Sequence, residues 1–344
     1  MRRASFALIA ACCACGSAGD QPHAPWRPLT ALSYVPMGAA CSHALDELVL
    51  FESYGPLHLI DPSSMADVSI GLATGPISVS VSPDGLRALV GHLGAVSYVD
   101  LSSGAVIAFW PFGPVGAPSG SLVLGDPVAI SGRTTRFGYL LTGSQLIPID
   151  LGNGNALSNN GPMVFARYGA AIEPGTGRVF VLELETGTLH GYDIDAETGI
   201  PVQAVQATVG PVFSSSQLWV SDEGTLLASN GMSFSTATLA PKGRFPSEAS
   251  HPPTTIGGAD WSPAAQRWAI QLIDTTSGFE SSLWIAPPDL QKPVRLGYPY
   301  FDVLDQYPIL VQWAFFDRSG TRRVIGGNAE DQGQHASNFV VFTL

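Results

Sequence analysis

At 344 residues, with 45% hydrophobic and only 13% charged side chains and with 38 Gly and 27 Pro, the chain can bury a large core of many short strands punctuated by turns. Sixteen Lys and Arg stand against 28 Asp and Glu, a net charge of -12. That excess repels phosphate backbones and argues against nucleic acid as a partner.

The chain opens on the basic Met1-Arg2-Arg3, followed by an apolar run from Ala4 to Ala11 and then Cys12. The run is too short to cross a bilayer and reads as an export signal over residues 1–11. Ile9-Ala10-Ala11-Cys12 resembles the lipobox of bacterial lipoproteins, where small residues precede a cysteine that takes the lipid and becomes the first residue. The resemblance implies lipidation at Cys12 and a cell-envelope address; cleavage near Gly19 instead would give a secreted protein. Three of the four cysteines (Cys12, Cys13, Cys15) crowd this region and only Cys41 lies in the folded part, so no internal disulfide framework is available. Residues 12–28, small, polar and Pro-rich, read as a flexible tether.

From 29 onward the chain reads as repeats of one unit, clearest at Ile77 to Phe112. Four alternating, β-branched runs (Ile77–Val81, Arg87–Gly91, Val96–Asp100, Ala105–Phe112) are joined by Ser82-Pro83-Asp84-Gly85, Gly91-His92-Leu93-Gly94 and Leu101-Ser102-Ser103-Gly104. Gly, Pro, Asp and Ser supply the backbone angles of tight turns. One such sheet exposes both faces and both edges, so it must be copied and stacked. Turns between first and second strands fall near Ser42, Ser82, Ser131, Glu173, Ser221, Ser262 and Asp317, spaced from 40 residues (Ser42 to Ser82) to 55 (Ser262 to Asp317). Leu29–Met37 reads as a fourth strand without its first three, and His335–Leu344 as a third strand without its fourth. The expectation is an all-β, seven-bladed β-propeller of four-stranded antiparallel blades over residues 29–344. Its N-terminal strand, Thr30–Val35, should pair with Phe339–Thr343 in the last blade and so close the ring.

Several stretches carry family resemblances. Val79 to Gly85 with Val99 to Gly104 resembles the YVTN-type propeller repeat. Ala170 to Pro174, Arg178 to Val181 and Tyr192 to Gly199 are similar to a repeat of lactonase-like seven-bladed propellers. Ala259 to Pro263 with Ser282 to Ala286 resembles the TolB-type repeat. All three imply the same fold. The stretches Val123–Leu151 and Val212–Leu239 are degenerate copies.

In such a ring the regular turns gather at one end and the irregular loops at the other. Function is expected on the long loops, 326–337 and 274–280. Asp274, Glu280, Glu330, Asp331 and His335 are the candidate binding residues there, because carboxylates and an imidazole can hold a cation or a sugar hydroxyl. Asp193, Asp195 and Glu197 before Gly199 superficially look like a calcium loop. Counted from Asp193, the sixth and twelfth positions are Thr198 and Ala204, where that loop needs Gly and Glu, so the stretch reads as a turn. There is no G-x-S-x-G elbow, no H-E-x-x-H and no P-loop, and no catalytic residue, metal site or cofactor is assigned. The seven tryptophans read as packing between blades. The expected function is a non-catalytic, lipid-anchored, monomeric binding module for a protein or cell-envelope component, touching membrane only through its anchor. The alternatives are a lactonase-like hydrolase of small sugar-acid lactones and an ancillary subunit resembling TolB.

Overall fold

The computed structural model describes residues 27–112, 121–130, 133–142, 145–152, 155–156, 162, 169–183, 186–195, 197–209, 217–245, 254–274, 281–296, 310–320, 323–329 and 338–343. The strands form seven four-stranded antiparallel sheets. The chain begins with β1 (Arg27–Leu32). Blade 1 follows as β2 (Gly38–Ser42), β3 (Glu47–Phe51), β4 (Leu57–Ile60) and β5 (Asp67–Ile70). Blade 2 is β6 (Pro76–Val81), β7 (Arg87–His92), β8 (Ala95–Asp100) and β9 (Ala105–Pro111). Blade 3 is β10 (Ser121–Ile130), β11 (Arg133–Leu141), β12 (Leu146–Asp150) and β13 (Asn155–Ala156). Blade 4 is β14 (Ala170–Ile172), β15 (Val179–Glu183), β16 (Thr188–Ile194) and β17 (Pro201–Thr208). Blade 5 is β18 (Leu218–Val220), β19 (Thr225–Ala228), β20 (Met232–Ser235) and β21 (Pro241–Arg244). Blade 6 is β22 (Thr254–Ser262), β23 (Arg267–Asp274), β24 (Ser281–Ala286) and β25 (Val294–Leu296). Blade 7 is β26 (Leu310–Phe316), β27 (Arg323–Ala329) and β28 (Asn338–Thr343), completed by β1.

Two corrections to the sequence reading follow. A seven-bladed propeller of four-stranded blades was expected; the structure has six blades with an outer strand of three residues or more, and the remaining sheet, blade 3, is reduced to the two-residue β13. Its degenerate sequence supplies no fourth run of β-branched residues directly after Asp150. The closing strand also sits earlier than expected. It runs Arg27–Leu32, pairing Thr30 with Val341 and Leu32 with Phe339, and Tyr34 and Val35 lie outside it. The chain must turn there into β2, and Tyr34 packs elsewhere.

Alternation along each middle strand explains the packing. In β7, Ala88 and Val90 join a buried cluster with Val49, Phe51 and Leu59 of blade 1. Leu89, between them, joins Leu122, Leu124 and Leu140 of blade 3 instead. In β15, Val179 and Val181 face blade 3, while Phe180 and Leu182 face blade 5. Middle strands are thus buried on both faces, which is why they read as continuous apolar runs. Six such clusters lie among the described residues, each drawn from two neighbouring sheets. The ring is therefore held by blade-on-blade burial at about 25 cal/mol per Å² of apolar surface.

The outer strands face solvent: β9 exposes Val106 and Ile107, and β17 exposes Val202. Four of them carry a bulge among the described residues. Register skips Leu29 in β1, Ile107 in β9, Ala204 in β17 and Lys242 in β21.

The regular turns lie at one end of the ring, here the turn end. Their anchor residues Ser42, Ser82, Ser221 and Ser262 are buried because each hydroxyl caps its own turn. Ser42 Oγ accepts from Leu45 N–H, Ser82 Oγ from Arg87 N–H, Ser221 Oγ from Thr225 N–H and Ser262 Oγ from Ala265 N–H. Ser42 Oγ also donates to Gly85 O of blade 2 at 2.6 Å, locking neighbouring turns together. The turns leading to the outer strands are capped by aspartates. Asp61 accepts from Ser63 and Ser64, Asp100 from Ser102 and Asp195 from Thr198. Asp195 caps its turn as the sequence reading had it.

These caps make acid stability testable. The hydroxyls of Ser63 and Ser64 hold the Asp61 carboxyl at about 2 against an ordinary 3.8. Ser102 lowers Asp100 and Thr198 lowers Asp195 in the same direction. A carboxyl lowered by folding stabilises fully above its unfolded value and loses that contribution as pH falls through its folded value. The urea midpoint should therefore hold above about pH 5 and fall between about pH 4 and pH 2. Asp61→Asn should flatten part of that fall. A wild-type midpoint unchanged down to pH 2 would contradict the account.

At the seam between blades 7 and 1, Tyr34 stacks on His58 with ring centroids 3.8 Å apart. His58 is 5% exposed. Its Nδ1 lies 2.9 Å from Asp67 Oδ1 and its Nε2 3.0 Å from Glu52 Oε1. The surrounding cluster joins Leu48, Leu50 and Ile60 of blade 1 to Leu32 and Phe315 of blade 7.

Candidate functional site

The inner strands β2, β6, β10, β14, β18, β22 and β26 surround an axial channel, and two cavities along it are lined by described residues. The larger, about 400 Å³, opens among the turns carrying Pro83, Pro174 and Pro263. The smaller, about 270 Å³, lies towards the loop end, beside Gly169, Gln217 and Gly257. Both touch Val79, Leu122, Ala170, Leu218, Trp219 and Ala259, which form an apolar waist.

The titratable groups of the turn-end chamber are Cys41, His43, Asp222 and Asp260. Cys41 precedes the last residue of β2 and His43 opens the turn that follows it, and both line the chamber. His43 Nε2 is 3.1 Å from Asp260 Oδ1, and Asp260 Oδ2 accepts from the Phe316 N–H at 2.8 Å. One carboxylate of blade 6 thus ties the end of blade 7's inner strand to the first turn of blade 1. Its charge draws the His43 imidazole above its ordinary value although burial opposes this. Burial, then the charges of Asp260, Asp46 and Asp317, push the Cys41 thiol well up. A thiol held protonated is a poor nucleophile, so this Cys, His and Asp set does not present an activated thiolate. Across the chamber Trp261 Nε1 donates to Asp222 Oδ1 at 2.5 Å, and the Trp261 ring lies 5.1 Å from that of Trp268. Among the described residues no group of three or more His, Cys, Asp or Glu side chains is placed to hold a metal ion.

Of the residues expected on the binding loops, Asp274 ends β23 at the loop end, paired with Thr254. Cys12, Glu280, Glu330, Asp331 and His335 lie outside the described residues. The sequence reading passed over His43, Asp222 and Asp260 as chamber residues. The closeness of His43 to Cys41 in the sequence, at the end of an inner strand, was the one local signal for it. The pairing of His43 with Asp260, 217 residues apart, is set by the ring and has no local signal. Six tryptophans lie in strands, and Trp219, Trp261 and Trp268 also line the chamber.

No family model and no curated protein matches the chain. Solved structures do. The β-propeller domain of Myceliophteria thermophila Cps50 (Swd1) aligns with TM-score 0.63 at 12% identity over 93% of this chain and all of that one. The fold is a β-propeller. U3-55K aligns with TM-score 0.60 at 13% identity, over 94% of this chain and 99% of that one. A chain of the mitotic checkpoint complex aligns with TM-score 0.61 at 14% identity, over 100% and 99%. At these identities the propellers share architecture alone, so activity must be argued from the site.

Proposed function

We propose that the chain is an exported, lipid-anchored propeller that acts as a binding module at the cell envelope, holding a protein or envelope component on its loop end. The observation that carries the reading is the polarity of the closing strand. β1 starts at Arg27, opposite Thr343 and, across β28 and β27, level with the end of β26, which is the turn end of the ring. A tether fixed at Cys12 joins the ring there, and the loop end is presented away from the anchor. The rigid ring supports the same reading, because loops on a rigid scaffold are where binding residues concentrate. So does the fold shared with a chain from an assembly, the mitotic checkpoint complex.

The test has two arms. Cys12→Ala should move the protein from the membrane fraction to the soluble one and abolish labelling by a fatty-acid analogue. Shortening 330–337 should remove captured partners while the urea midpoint stays within about 0.5 kcal/mol of wild type, as for surface changes. Unchanged fractionation removes the anchor; an unchanged set of partners removes the loop-end site.

A further inference from the structure

We infer that the turn-end chamber is a site for a compact organic cation, a guanidinium or primary ammonium group carried either by a small amine or by a side chain of a partner polypeptide. The inference deepens the binding reading above, on which its biological use rests, and places a second site at the opposite end of the channel.

Three features of the chamber converge on that chemistry. Its volume of about 400 Å³ falls in the range of roughly 300–1,000 Å³ usual for small-molecule sites. Its field is negative. Asp222 is exposed at the rim, with Oδ1 fixed by the Trp261 indole and Oδ2 given no hydrogen bond among the described residues. His43 offsets Asp260, but Asp46 and Asp317 act on both Cys41 and His43 in the same sense as Asp260. An anion would meet that field unfavourably. Finally, two indoles, Trp219 and Trp261, belong to the wall, and indole faces attract cations. Behind them the apolar waist of Val79, Leu122 and Leu218 suits the methylene stem of an alkylamine or of an Arg or Lys side chain, which packs against apolar surface while its head group stays polar.

The experiment titrates the folded protein with Nα-acetyl-arginine amide, whose guanidinium is its only charge, and with a neutral-ended tetrapeptide containing one Arg. Calorimetry and tryptophan fluorescence give the readouts. Saturable binding should weaken at high salt and by about tenfold or more in Asp222→Asn, the loss expected when one partner of a desolvated charge contact is removed. The new amide oxygen still accepts from Trp261 Nε1, and an unchanged near-UV spectrum verifies that the chamber keeps its shape. Equal affinity for the two probes assigns the site to small amines; a peptide about tenfold or more tighter assigns it to a partner side chain. Absence of saturable binding by both probes overturns the inference, as does binding that Asp222→Asn leaves unchanged. If both probes fail while shortening 330–337 still abolishes partner capture, the inference falls and the loop-end reading stands. The reverse result removes that reading and leaves the chamber site.

Discussion

A chain that begins at Ser33 will lose the single cooperative unfolding transition that a chain beginning at Arg27 retains. β1 is both the outer strand of blade 7 and the covalent link into blade 1. Cutting it away removes five paired residues against β28 and strips Leu32 from the cluster at the seam. It also leaves β28 as an open edge. A protein of this kind has about 5–15 kcal/mol of total stability, and the loss of a whole paired strand takes a large share of it. The urea midpoint should drop sharply, and the bared edge of β28 should recruit strands from other copies, visible as oligomers in size-exclusion chromatography. Matching midpoints and monomeric profiles for the two chains would show that blade-on-blade packing alone closes the ring.

The second large effect is expected at His58. Its imidazole separates the carboxylates of Glu52 and Asp67, lying 3.0 and 2.9 Å from them, and carries Tyr34 on its face. Burial, with Asp67 adding to it, also pushes the Tyr34 phenol well up, so it stays a neutral partner. His58→Ala leaves two carboxylates facing one another across a void. Removing one partner from a buried charged set costs about 3–5 kcal/mol. Here the carboxylates are 31% and 33% exposed, so solvent screening reduces the figure to about 2–3 kcal/mol. Adding Glu52→Gln and Asp67→Asn to His58→Ala should restore more than half of the loss, because the repulsion goes with the charges. If the triple variant is no more stable than His58→Ala, the loss came from the cavity and from Tyr34 rather than from the charges.

Much of this architecture was legible because each blade obeys local rules. In blade 2 the strand limits fall within a residue of those expected, since Ser82 to Gly85 and Leu101 to Gly104 specify their turns by side-chain capping and positive φ at Gly85 and Gly104. The closing strand was visible as a remainder at each end of the chain, but its limits were not. Nothing apolar distinguishes Tyr34 and Val35 from the strand before them, and only the fold reveals that Tyr34 is drawn onto His58. Blade 3 read as degenerate, and its two-residue outer strand is the structural form of that weakness. The chamber was the least legible part. Cys41 and His43 come from one end of the sequence and Asp222, Asp260 and Trp261 from beyond residue 220, and no spacing rule links residues that meet only because the sheets are arranged in a circle.

The bulges at Ile107, Ala204 and Lys242 bear on how such molecules tolerate crowding. Each outer strand is a free rim, and the rim of blade 2 is apolar enough to template a neighbour's strand. A straight strand needs an unbroken row of donors and acceptors, and one misplaced residue in the middle of the row interrupts it. At these rims, copies of the ring can therefore meet side against side without zipping their strands together.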